Sequence, residues 1–170
     1  MLQRLSYTQL YVLDQDAARD FYVDKLGFEV RTDARMDNGL RWLTVGPKGQ
    51  PELLVIPMKI DGPNFDKDTA ASLQRLLEQG ILCGGVLESS DCRQDYEDLK
   101  AKGVDFTAPP VERFYGVEAV MKDNSGNWLP HGAQGVTPWT LNNTKYEVVS
   151  NGLAIVSIPE RPKPRHQRAG

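Results

Sequence analysis

The 170-residue sequence predicts an α+β fold made of two copies of one βαβββ unit, and three observations carry that prediction. "YTQLYVLDQDAARDFYVDKLG", Tyr7 to Gly27, reads as a strand, an acidic cap, an amphipathic helix and a glycine stop. The same order returns from Leu82 to Gly103, with Asp91 in the place of Asp14 and Gly103 in that of Gly27, an offset of about 76 residues. Short strand-like runs parted by turn signals follow each helix. One such sheet cannot cover its own concave face, so two units must pair, within the chain or between chains.

The opening strand alternates, with Ser6, Thr8, Leu10 and Val12 on one face and Leu5, Tyr7, Gln9 and Tyr11 on the other. Asp14 can cap the helix, and Ala18, Phe21, Tyr22 and Leu26 fall on one side of it at helical spacing. Gly27 ends it in the left-handed conformation. Phe28 to Met36 is a strand, "DNG" at Asp37 to Gly39 a hairpin turn, and Leu40 to Val45 the returning strand. Leu53 to Ile56 is a fourth apolar run between Pro51 and Pro57. A connector with Gly, Pro and Asn leads into a helix from Thr69 to Gln79, with Ala70, Leu73 and Leu77 on one face. In the second unit, Leu82 to Glu88 is a strand and Asp91 opens a helix bearing Cys92, Tyr96 and Leu99. Val104 to Thr107 and Gly116 to Lys122 are strands, and "DNSGN" turns into Trp128 and Leu129.

The boundaries follow: 1–60 the first module, 61–80 the connector with its helix, 81–133 the second module, 134–170 a C-terminal extension. In that extension Tyr146 to Val149 and Leu153 to Ile158 flank "SNG" as a β-hairpin, and the end is a basic, proline-rich tail containing His166.

A net charge of -3 and a sequence pI near 5.4 argue against nucleic acid as the partner, since phosphate binding wants a basic face. No apolar run approaches the ~20 residues that span a bilayer, and no signal-peptide core opens the chain, so no membrane partner and a cytoplasmic location are expected. Cys83 and Cys92 have neither metal spacing nor a disulfide framework and read as reduced, mostly buried thiols. The Asn142-Asn143-Thr144 sequon is then a chance match.

"LYVLDQDAARDFYVDKLGFEV" (Leu10 to Val30), "DCRQDYEDLKAKGVDF" (Asp91 to Phe106) and "YGVEAVMKDNSGNW" (Tyr115 to Trp128), in that order and spacing, resemble the vicinal oxygen chelate superfamily, the glyoxalase I, bleomycin-resistance and extradiol dioxygenase group. The resemblance covers Leu5 to Leu129. It implies a cupped, mixed eight-stranded sheet with the active or binding site inside. Metal-dependent members place ligands at four strand positions, which fall here on Tyr7, Leu54, Gly84 and Pro130. Leu, Gly and Pro bring no donor side chain, and a phenol with a pKa of about 10 is rarely ionised at pH 7. No cofactor is therefore expected. The alternative is one divalent ion held by shifted ligands, Gln9, Glu52 and His131, with N/O donors that suit Zn2+, Ni2+ or Mn2+.

The expected ligand-binding residues are Tyr7, Gln9, Trp42, Leu54, Gly84, Phe114, Tyr115, Trp128 and His131, with Tyr11 beside them and with Gly84 and Gly85 leaving room for close approach. Flat aromatic walls with a few hydrogen-bonding groups suit a planar or amphipathic organic molecule. No Ser-His-Asp or Cys-His arrangement stands out, "GPKG" at Gly46 to Gly49 precedes no helix, and Glu97 and Asp98 read as helix solvation. The expected function is a metal-free, non-catalytic binding protein acting as a homodimer on a small organic molecule, including drug sequestration. The alternatives are a metal-dependent lyase, isomerase or dioxygenase of the same superfamily, or a degenerate module kept for assembly.

Overall fold

The computed structural model describes residues 5–113, 116–133, 146–147 and 156–157. The chain divides into two compact units, Met1–Gln134 and Gly135–Gly170. The first holds both βαβββ repeats.

In the first repeat β1 (Tyr7–Val12) leads to α1 (Gln15–Asp20), which widens into a π-helical turn (Phe21–Lys25) before β2 (Glu29–Arg35), β3 (Arg41–Gly46) and β4 (Leu54–Lys59). After α2 (Lys67–Glu78) come β5 (Leu87–Ser89), α3 (Cys92–Ala101), β6 (Asp105–Arg113), β7 (Gly116–Lys122) and β8 (Trp128–Ala133). The eight strands form two mixed sheets of four, ordered β1-β4-β3-β2 and β5-β8-β7-β6. The duplication is visible in this order. In each sheet the first and last strands of the repeat are parallel neighbours and the other pairs are antiparallel. In the second unit β9 (Tyr146–Glu147) pairs antiparallel with β10 (Val156–Ser157), on the two arms expected to make a hairpin, whose remaining residues lie outside the described ones.

The capping logic holds at each helix. Asp14 accepts a hydrogen bond from the Ala17 N–H at 2.8 Å, Asp66 from Thr69 at 2.8 Å and Asp91 from Gln94 at 3.0 Å. Gly27 and Gly103 leave their helices at φ +76 and +73, a region side chains resist.

Three local readings are corrected. The strand expected over Leu82 to Glu88 is short, because Gly84 and Gly85 (φ +114) interrupt it and leave only a Cys83–Trp128 bridge upstream. Pro57 lies inside β4 instead of ending it. It lacks an N–H, and its carbonyl accepts from the buried Gln15 side chain at 2.8 Å. Cys83 is exposed; only Cys92 is buried.

The core forms where α1 and its π turn lay Ala18, Phe21 and Tyr22 on Leu10, Val12, Val45 and Val55, and it continues into Met121 and Leu129 of the second sheet. Each fully buried side chain of this kind contributes about 1.5–3 kcal/mol. A polar hub crosses the same junction. The Asp123 carboxylate accepts from Tyr22 Oη at 2.9 Å, from the Ser125 and Asn127 N–H groups at 2.9 Å each, and from Asn127 Nδ2 at 2.8 Å. Asn127 Nδ2 also donates to the Tyr11 carbonyl, and Ser125 Oγ accepts from the Leu13 N–H. Burial, with Asp123 adding to it, holds the Tyr22 phenol well above its usual range, so it stays protonated and donates. The two repeats are thereby joined by packing and by buried hydrogen bonds.

Candidate functional site

Strand alternation gives the first sheet two unlike faces. Leu10 and Val12 point into the core under α1, so Tyr7, Gln9 and Tyr11 lie on the opposite, open face. The register of β1 with β4 sets Tyr7 beside Leu54 and Gln9 beside Ile56. On β3, Val45 belongs to the core, which leaves Trp42 on the open face. Tyr7 and Trp42 meet edge to face, with ring centroids 6.4 Å apart and planes at 88°. Tyr7 is 55% exposed, an unusual degree for a large aromatic on a sheet.

Four of the expected residues, Tyr7, Gln9, Trp42 and Leu54, are thus brought together. Sequence reasoning missed what flanks them. The connector after β4 turns back so that Phe65 packs edge-on to Tyr11, centroids 5.7 Å apart, and the Asn64 amide reaches Met58 Sδ at 3.7 Å. Thr44, fully buried on β3 beside these residues, keeps a hydroxyl with no hydrogen-bond partner. The Gly, Pro and Asn of the connector signalled turns; nothing in them signalled where the turns would lead.

The second sheet divides the remaining expected residues. Leu129 is a core residue, so Trp128 and Pro130 share the other face, and Trp128 Nε1 donates to the Ile81 carbonyl at 3.3 Å. Gly84 does not open that face: a Cβ there would stand 2.7 Å from Leu129 Cδ2, so the core already uses its space. His131 has the parity of Leu129 and faces α3. It is 3% exposed, with Nδ1 3.9 Å from Cys92 Sγ and the ring 6.4 Å from Phe106. Its Nε2 stands 3.5 Å from Asp95 Oδ2, a polar contact short of a hydrogen bond, and is hydrogen-bonded to no other group. Burial lowers the imidazolium pKa, only partly opposed by Asp95, so the ring is neutral at pH 7. Phe114 and Tyr115 lie outside the described residues.

A family model described as "Glyoxalase/Bleomycin resistance protein/Dioxygenase superfamily" matches residues 4–130. The chain belongs to this superfamily. Uncharacterized protein YetH of Bacillus subtilis (strain 168) is 31% identical over 127 residues, 75% of this chain and 95% of YetH. The crystal structure of UcmS2 aligns with a TM-score of 0.75 and 45% identity, covering 78% of this chain and 98% of that one. That of TnmS3, an antibiotic binding protein from Streptomyces sp. CB03234, aligns at 0.61 and 26% identity, covering 78% and 96%.

The superfamily's metal positions can be tested against this member's side chains. Tyr7 and Leu54 are adjacent across β1 and β4, while Pro130 sits on β8 and Gly84 ahead of β5. Those positions offer a phenol, an alkyl chain, a hydrogen and a pyrrolidine ring, of which only the phenol carries a donor atom. The shifted set is not assembled either, because Gln9 lies on the open face of the first sheet and His131 on the helix side of the second. Among the described residues no three His, Cys, Asp or Glu are grouped to hold an ion. No described helix is long and apolar enough to cross a membrane.

Proposed function

We propose that this superfamily member is a binding protein, not an enzyme, and holds a planar or amphipathic aromatic molecule against the open face of its first sheet. The exposed Tyr7 phenol, set edge-on to Trp42 with the Gln9 carboxamide two residues along, carries the reading. Each ring of the pair offers a flat face, the two at right angles, and the phenol and carboxamide offer hydrogen bonds to a neutral polar group. The antibiotic-binding neighbour supports the ligand class, and the Tyr7, Leu54, Gly84 and Pro130 set supports a ligand held without a metal. Trp128, on the second sheet, supplies a further wall within one chain or across a homodimer.

Titration with anilinonaphthalene sulfonate, followed by quenching of tryptophan fluorescence, tests the reading. Saturable, micromolar binding is expected. Tyr7→Ala should weaken it by about 2- to 12-fold, the equivalent of one aromatic contact of about 0.5–1.5 kcal/mol. Glu97→Ala, on the exposed side of α3, should leave it unchanged. Undiminished affinity in Tyr7→Ala would place the ligand elsewhere.

A further inference from the structure

On the opposite side of β1, the packing between the repeats does not close. A cleft of about 720 Å³ runs between the π turn after α1 and the outer side of α3. Folded interiors are close-packed, with few voids larger than a water molecule, whereas pockets for small molecules measure about 300–1,000 Å³. Apolar side chains from both repeats line it, Leu10 and Val55 from the first and Leu87, Met121 and Leu129 from the second, with polar and charged groups between them and at the rim. Thr8 lines it, while Tyr7, one residue earlier, points to the other face of the same strand.

One of the polar groups in this lining lacks its complement. His131 lines the cleft with a buried Nε2 that has no hydrogen bond, and Asp95, whose Oδ2 already accepts from Ser89 Oγ at 2.5 Å, lines it 3.5 Å away. A buried polar atom left unpaired is costly, so such atoms in native proteins usually have partners. The chemistry around it narrows the choice. Asp95, 3.5 Å from Nε2, disfavours a carboxylate or phosphate at that atom, while along the rest of the lining Asp98 and Glu88 stand among Lys25, Lys48 and Lys102. Of the lysines at the rim, Lys25 and Lys102 donate to the Gly103 and Lys25 carbonyls. A hydroxyl can accept from Nε2–H and donate to Asp95 at once, and the walls ask for a compact hydrocarbon behind it.

We propose that this inter-repeat cleft is a second small-molecule site, distinct from the open face, which takes an uncharged aliphatic alcohol with its hydroxyl between His131 Nε2 and the Asp95 carboxylate. The site does not depend on the aromatic face, and either can fail without the other.

Menthol and its hydrocarbon analogue p-menthane, titrated into the full chain and followed by amide and methyl chemical shifts, test it. Saturable shifts with menthol are expected at Leu87, Leu129 and His131. Binding of p-menthane should be at least tenfold weaker, and His131→Phe should abolish that preference. Thr8→Trp should remove menthol binding and Tyr7→Ala should not. Val86→Trp, at a cleft residue 73% exposed, repeats the block where substitution cannot harm the core. Shifts confined to the Tyr7 and Trp42 face, equal binding of the two probes, or unchanged affinity in both tryptophan variants would overturn the proposal.

Discussion

Replacing Tyr22 with phenylalanine removes a single hydroxyl from the hub that joins the two repeats. The ring itself is retained by its contacts with Phe21 and Phe28, at centroid distances of 5.3 and 5.7 Å, so no large cavity opens. What is lost is the 2.9 Å bond to Asp123, leaving the carboxylate with the Ser125, Asn127 backbone and Asn127 side-chain donors. A hydrogen bond to a charged group contributes about 1.5–3 kcal/mol net. At roughly 2–4 °C per kcal/mol for a chain of this size, the midpoint should fall by roughly 3–12 °C. Urea unfolding followed by circular dichroism gives the free energy, and a double-mutant cycle with Asp123→Asn isolates the pair. A loss below about 0.5 kcal/mol, the range of an ordinary surface substitution, would refute the view that this bond ties the repeats together.

Gly126→Ala should cost at least about 2 kcal/mol, because φ is +98 and the new Cβ would stand 2.2 Å from the Leu77 carbonyl oxygen, which must move. Gly49→Ala, with nothing within 4 Å, is the control in the same denaturation series. His131 should make stability fall as pH drops below about 6.5. Its folded pKa lies under the unfolded value, so the unfolded chain binds the extra proton, and stability present at pH 7.5 is lost toward pH 5. Asp33, held down by its hydrogen bonds to Arg41, and Asp66, held down by Thr69, stabilise fully at and above pH 5 and lose that contribution only as pH falls through the carboxylate range, so thermal melts of His131→Gln should show a flatter slope between pH 7.5 and 5. Light scattering at tens of micromolar should give the mass of a homodimer, and a monomer mass would leave the open face without the expected partner copy.

The repeat was legible because its signals are local. Asp14 and Asp91 cap, Gly27 and Gly103 stop, and the alternation of Ser6 to Val12 assigns Tyr7 and Gln9 to one face without reference to the rest of the chain. The failures are failures of range. "DNSGN" reads locally as a turn, yet Asp123 and Asn127 are buried there because Tyr22 and Tyr11 are more than a hundred residues away in sequence and adjacent in space. The sequence expectation that His131 faces the ligand rests on its closeness to Pro130, and one residue of a strand is enough to reverse direction. Pro57 marks the end of an apolar run in the sequence, yet the Gln15 side chain that serves its carbonyl comes from a different element.

The hub also has a temporal side. The Tyr11 carbonyl and the Leu13 N–H find their partners 116 and 112 residues downstream. At a synthesis rate of about 5–20 residues per second, β1 waits roughly 6–23 s after its own emergence before Asn127 is even made. Over that interval the first repeat has unsatisfied polar groups on β1, and the part of its core that Met121 and Leu129 will fill is missing. Contacts this distant in sequence also slow folding of the finished chain. The nascent first half is therefore the stage at which a chaperone has most to cover, and a release delayed until the "DNSGN" turn clears the exit tunnel would let both repeats close in one step.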